Sequence, residues 1–300
     1  MTNCKTSQRT QPSHGAFPSF RQTSALCSFG LAVILTSFLT ACGGGSSSSS
    51  STSAGAGTTP AAPTTITPGA YIGTVSGKDW VSLILPTSPA SSGNVQFYAL
   101  HYNVTDPDIY SGTGQVVGKT SGTLSNLTAY PFIATTVRMG TGSLSSASSG
   151  VVHADLNFAA TSTDPAKTIG LDHSAPSGYT ASTPATLSAV QGNWQGRWTY
   201  GLGFADNFSI SVSAQGMVSS LAAFQNDCQI TQSAFTPNFD GTNLFGFTLT
   251  IPNATQCTLK NQTLTGAAFV MPSPVAGKTQ RLYLVGVATD GRGISFKADR

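Results

Sequence analysis

Apolar side chains in this chain recur at every second position and scarcely ever at helical spacing. Phe208, Ile210 and Val212 alternate with Ser209, Ser211 and Ser213, and Phe245, Phe247, Leu249 and Ile251 alternate with Gly246, Thr248 and Thr250. A period of two lays one side of an extended segment on a core and leaves the other wet, which is the pattern of a half-buried strand. Six more segments of the C-terminal half read as strands: Asn193 to Thr199, Met217 to Phe224, Cys228 to Phe235, Thr263 to Met271, Arg281 to Ala288 and Gly293 to Lys297. Gly, Pro, Asn and Asp punctuate them, as in Asp240-Gly241 and Asp290-Gly291. Eight short strands at turn-length spacing predict an all-β antiparallel meander. Eight is also the number that closes into a small barrel and removes both exposed edges. A two-layer sandwich is the alternative.

The N-terminal half repeats the pattern less cleanly, with candidate strands at Tyr71 to Val75, Trp80 to Leu85, Val95 to Tyr102, Gln115 to Gly118, Leu124 to Ile133 and Val151 to Phe158. An ungapped shift of 123 residues carries Gly69 onto Gly192, Tyr71 onto Trp194, Gly73 onto Gly196, Gly93 onto Gly216, Val95 onto Val218 and Gly118 onto Gly241. One offset serving six positions predicts a duplicated unit. The expected organisation is a β domain over residues 69–175, a linker over 176–189 rich in Ser, Pro, Thr and Ala, and a second β domain over 190–300.

Gly192-Asn193-Trp194 opens the first strand of the second domain. There it resembles the G-x-W of the calycin barrels, the lipocalins and avidins. The resemblance implies a barrel closed at one end by Trp194 and a basic residue of the last strand laid over it, with Arg292, Lys297 and Arg300 as candidates. The first domain carries Tyr71 at the matching position. Trp194 and Trp198 lie four apart on one strand and so share a face, where they would either form a stacking platform for a sugar or other ligand or fill the core.

The N-terminus reads as an address. Ala25 to Leu39 is apolar for 15 residues behind Lys5, Arg9 and Arg21, too short for a membrane span and of the length of a signal-peptide apolar region. It ends Leu39-Thr40-Ala41-Cys42, which resembles the bacterial lipobox. That resemblance implies cleavage after residue 41 and lipid on Cys42, and Gly43 in place of an aspartate implies onward export to the outer membrane, facing the periplasm or the surface. Several acyl chains on one residue anchor durably where one chain does not. Residues 43–68 are Gly, Ser, Ala, Thr and Pro with one large apolar side chain, Ile66, and no charge, a composition that cannot bury enough surface to offset ordering. They read as a tether with a span of about 28 Å. Cys4 and Cys27 leave with the signal. Cys228 and Cys257 remain, and an oxidising compartment would allow them to pair. A metal pair is the rival reading, and neither cysteine lies in a C-x-x-C or near a histidine.

Charge excludes much else. Only 8% of residues are Asp, Glu, Lys or Arg and none is Glu, which removes glutamate acid–base chemistry and the His-Glu zinc motifs. The net charge of +3 comes from the leader: without Lys5, Arg9 and Arg21, 11 of the 14 basic residues face 11 aspartates. A neutral chain without a basic face gives no footprint for nucleic acid. Neither a nucleophile elbow nor a phosphate loop is present. Asp172-His173-Ser174 places three catalytic residue types in a row, but neighbouring side chains diverge and cannot line up as a triad; it reads as a turn between domains. His153 and Asp155, two apart, point the same way on a strand and could share a proton or a metal, with His101 completing a site. Asn157 on the same face makes a solvent-facing polar row the competing reading. No catalytic residue and no cofactor or metal is therefore assigned. The expected partners are the membrane, through Cys42, and an envelope protein, a glycan or a small apolar ligand, with a spacer lacking any ligand and a hydrolase or metalloenzyme using His101, His153 and Asp155 as the alternatives.

Overall fold

A computed structural model describes residues 65–300 apart from 76–77, 88–92, 103–107, 117, 132–136, 147–149, 163–164, 201–202, 221–228, 238–240 and 253–258. The leader, Cys42, most of the tether, Cys228 and Cys257 lie outside the described residues. The first sheet runs β1 (Gly69–Val75), β2 (Lys78–Pro86), β3 (Asn94–Tyr102), β4 (Asp108–Gln115), β5 (Ser121–Pro131), β6 (Arg138–Ser146), β7 (Val152–Phe158) and β8 (Lys167–His173). A four-residue helix, α1 (Leu187–Val190), precedes the second sheet: β9 (Gly192–Tyr200), β10 (Gly203–Val212), β11 (Met217–Ser220), β12 (Thr231–Pro237), β13 (Phe245–Ile251), β14 (Gln262–Pro272), β15 (Gln280–Ala288) and β16 (Gly293–Asp299).

Both sheets are antiparallel meanders in which each strand pairs with its neighbour in sequence. The second closes completely, β9 pairing with both β10 and β16. The first is nearly closed: among the described residues β1 meets Ser174, the residue after β8, through one isolated bridge, with Ile72 N–H donating to Ser174 O at 2.8 Å and Ser174 N–H to Ile72 O at 2.9 Å. We call them barrel 1 and barrel 2. The sandwich alternative does not apply.

Each of the eight expected C-terminal strands has a counterpart, although residues 221–228, which two of the expected segments include in part, lie outside the described residues and β12 begins at Thr231. The N-terminal half differs in three places. β6 has no counterpart among the expected strands, because its interior positions are Gly140, Gly142 and a single buried Leu144, which leaves no apolar period to detect. β8 alternates Ile169, Leu171 and His173 against Thr168, Gly170 and Asp172, so the Asp172-His173-Ser174 segment ends a strand at the barrel seam and is not an interdomain turn. β4 covers Asp108–Gln115 instead of the segment after it, because Ile109 and Tyr110 are buried on opposite faces and break the alternation.

The 123-residue offset reappears in the geometry. It carries residues 108–115 of β4 onto 231–238, against the observed β12 at Thr231–Pro237. Tyr71 Oη donates to the carbonyl of Thr67 at 2.7 Å, and Trp194 Nε1 donates to the carbonyl of Val190 at 2.6 Å, four residues back in each case. Gly73 and Gly196 sit where the first strand presses on the last: a Cβ would lie 2.1 Å from Asp172 O in one and 1.9 Å from Lys297 O in the other. Only glycine permits that approach.

Each barrel has its own interior core, and a third core joins them. Ala70, Val81, Leu83, Leu85, Leu100 and Ile109 from the outer face of barrel 1 meet Leu244, Ala267, Phe269, Tyr283 and Val285 of barrel 2. Tyr179, from the segment between the barrels, is buried there, its hydroxyl accepting from Ala70 N–H at 3.2 Å and donating to Asn243 O at 3.1 Å. Ala185 and Val190 of the same connection pack on the interior core of barrel 2.

Candidate functional site

On β7 the side chains of Val152, Ala154, Leu156 and Phe158 turn inward, which leaves His153, Asp155 and Asn157 outside. On β8 the same alternation sends Asp172 outward. The register sets His153 opposite Asp172 and Asp155 opposite Gly170. The imidazole thus lies between two carboxylates, with Nδ1 2.6 Å from Asp172 Oδ1 and Nε2 3.1 Å from Asp155 Oδ1. The hydrogen bond to Asp172 is the largest cause of a raised His153 pKa; partial burial opposes it, and the hydrogen bond and charge of Asp155 add to it.

Asp172 is the member that spacing alone could not supply, since it comes from another strand through register. His101 goes elsewhere. It is the cross-strand partner of Trp80 and stacks on it, ring centroids 4.5 Å apart and planes at 17°. Trp80 belongs to the interior core of barrel 1, and cross-strand partners share a face. His101 therefore occupies the inner side of the sheet and His153 and Asp155 the outer side, so the three do not form one cleft. Among the described residues, no group of three or more His, Cys, Asp or Glu side chains is arranged to hold a metal ion.

Barrel 1 also carries polarity inside. His173 is 1% exposed. Its Nε2 is 3.3 Å from Ser82 Oγ, and among the described residues its Nδ1 has no hydrogen-bond partner; nor has the buried Nε1 of Trp80. Burial drives the His173 pKa down to about 4, against a smaller upward pull from Asp172. At neutral pH it is an uncharged imidazole in an apolar wall. The cross-strand partners of Ser82 and His173 are Tyr71 and Val152. Those two form part of the wall of a 270 Å³ cleft at that end of the barrel, together with Ala70, Val151, Ala175 and Ala181. Threonine and serine hydroxyls of Thr65, Thr67 and Ser146 rim it.

Barrel 2 is built differently. Trp194 and Trp198 are both buried in its interior, so neither offers a ring face to solvent. Trp198 packs against Phe208 and Phe296 at 5.5 and 5.9 Å. Of the three basic residues that the calycin resemblance put forward, Arg300 covers Trp194, its guanidinium carbon 4.4 Å from the ring centroid. Arg300 Nε donates to Gln280 Oε1 at 2.8 Å and Nη2 donates to Ala189 O at 3.2 Å. Arg292 pairs instead with Asp290, and Lys297 lies over Tyr283.

These features define a class: an all-β protein of two eight-stranded antiparallel barrels, compatible with the calycin type, packed through a shared apolar face. No protein-family model, curated protein or solved structure matches the chain.

Proposed function

We propose that the chain is a lipid-anchored bacterial envelope protein, acylated at Cys42, held on the 42–68 tether, and recognising a small apolar ligand or the apolar side chain of an envelope partner without covalent chemistry. The observation that carries the reading is the 270 Å³ cleft of barrel 1, walled by Tyr71, Val152 and alanines. Sites for drug-sized ligands begin at about 300 Å³, so the occupant is smaller than these or is a single inserted side chain. Barrel 2, its interior crowded with Trp194, Trp198, Phe208, Phe235, Phe245 and Phe247, serves as a rigid support. The separation of His101 from His153 and Asp155 argues against the hydrolase reading.

The test is titration with an apolar naphthylamine fluorophore. Saturable binding is expected in the native chain, and Val152→Trp, which fills the cleft, should weaken it more than about tenfold. Absence of saturable binding, or equal binding by both proteins, would favour the spacer without ligand. The anchor is tested separately by fatty-acid labelling, which Cys42→Ala should abolish together with membrane association.

A further inference from the structure

The His153 cluster lies on the outer wall of barrel 1, and the ligand cleft makes no use of it. Asp172 Oδ1, 2.6 Å from Nδ1, accepts a hydrogen bond from the proton on that nitrogen. A metal-binding histidine is commonly oriented in this way, its second ring nitrogen donating to a carboxylate that fixes the tautomer and raises basicity. Nε2 faces Asp155 Oδ1 across 3.1 Å, donating a hydrogen bond when the ring is protonated and presenting its lone pair when it is neutral. In the neutral ring two acceptors confront one another, and a cation that displaces the shared proton would lie between them. Ligand atoms 3.1 Å apart and each about 2.1 Å from a shared ion subtend roughly 95–100°. That is nearer the right angle of a tetragonal ion than the tetrahedral angle of about 109°.

The surroundings leave room for it. Gly170 stands across from Asp155, and a Cβ there would sit 3.6 Å from His153 Cε1 and 3.7 Å from Asp155 Oδ1, so glycine keeps the space over the pair open. Ser143 and Ser145 on β6 are the cross-strand partners of Asp155 and His153, which puts two hydroxyls on the same face. The His153 and Asp155 side chains are 37% and 45% exposed, so water completes the coordination.

We infer that His153 Nε2 and Asp155 Oδ1 form a solvent-accessible site for a first-row divalent cation, copper(II) binding tightest, with Asp172 as the positioning residue. Copper heads the affinity order for nitrogen and oxygen donors and tolerates the near-right angle. The site is independent of the cleft and of its ligand.

The experiment is titration of the full chain, in detergent micelles, with copper(II) alone, followed by calorimetry and electron paramagnetic resonance. A saturable equivalent showing coupling to one nitrogen is expected. His153→Gln and Asp155→Asn should each weaken it more than about tenfold and His153→Gln should remove the coupling, while Asp172→Asn should cost about 10- to 100-fold. All three positions face solvent, and circular dichroism verifies the fold of each variant. Copper uptake and a spectrum unchanged in His153→Gln and Asp155→Asn overturn the site, as does an absence of uptake by the native chain, which leaves a proton as the cation between the two atoms. Unchanged affinity in Asp172→Asn overturns its positioning role.

Discussion

Two adjacent residues of β8 illustrate how little a residue type says without its face. Asp172 points out to His153 and His173 points in to Ser82. Their divergence follows from strand alternation and was readable from sequence; the partners come from other strands through register and were not. The buried histidine sets a pH dependence. Its pKa in the fold is about 4 against an ordinary 6.5, so the unfolded chain takes up the proton first. The stability that neutral His173 contributes is complete above pH 6.5 and is lost as pH falls toward 4, by up to about 3 kcal/mol. Denaturant midpoints measured across that range should fall in the native chain and stay flatter in His173→Leu. His153, with a raised pKa, works in the other direction: its share is present below its ordinary value and disappears as pH rises through the folded one. An exposed ion pair makes that second slope the shallower.

At the scale of strands, what could be read was what alternated. β13 and the Phe208–Val212 part of β10 announce themselves because one face is uniformly large and apolar, whereas β6 hides because the interior behind it is occupied by side chains from elsewhere and needs only Gly140 and Gly142. Leu124 and Phe158 reach into the spaces those glycines leave. Glycines chosen for close approach carry a definite cost on substitution. Gly73→Ala places a methyl group on Asp172 O, and Gly196→Ala places one on Lys297 O; overpacking of this kind costs about 1–3 kcal/mol. The consequences differ because the seams differ. Barrel 2 is held there by a six-residue register between β16 and β9, and barrel 1 by the Ile72–Ser174 bridge. Gly73→Ala should therefore accelerate amide hydrogen exchange at Ile72 and Ser174 selectively, while Gly196→Ala should lower global stability with no comparable local opening. Equal, global effects of the two would show that the barrel 1 seam is as firmly closed as the other.

For the molecule as a whole, the sequence divides at residues 176–189, yet the two barrels share a core. The signal for that face was present in a form that periodicity does not decode. Val81 to Leu85 in β2, Ala267 to Val270 in β14 and Leu282 to Val285 in β15 are apolar or small at nearly every position, as expected of strands covered on both sides. The covering partner is the other barrel, and no single-strand pattern can name it. Tyr179 completes the junction from within the supposed linker, bonded to both halves. An interface with Leu83, Leu100, Ile109, Phe269 and Val285 at 1% exposure or less resembles a domain interior more than a mobile contact between domains. Heating should therefore unfold both barrels in one calorimetric transition whose enthalpy agrees with the two-state value. Phe269→Ala removes a wholly buried ring that stacks on Tyr283 at 5.1 Å and meets Tyr179 edge-on at 5.7 Å, a loss of about 3–5 kcal/mol. Because that ring lies in the core the barrels share and in neither interior, the variant should split the transition in two, with barrel 2 melting at the higher temperature on the strength of its full closure. Two transitions already present in the native chain, or one shifted transition in the variant, would assign the coupling to something other than this shared face.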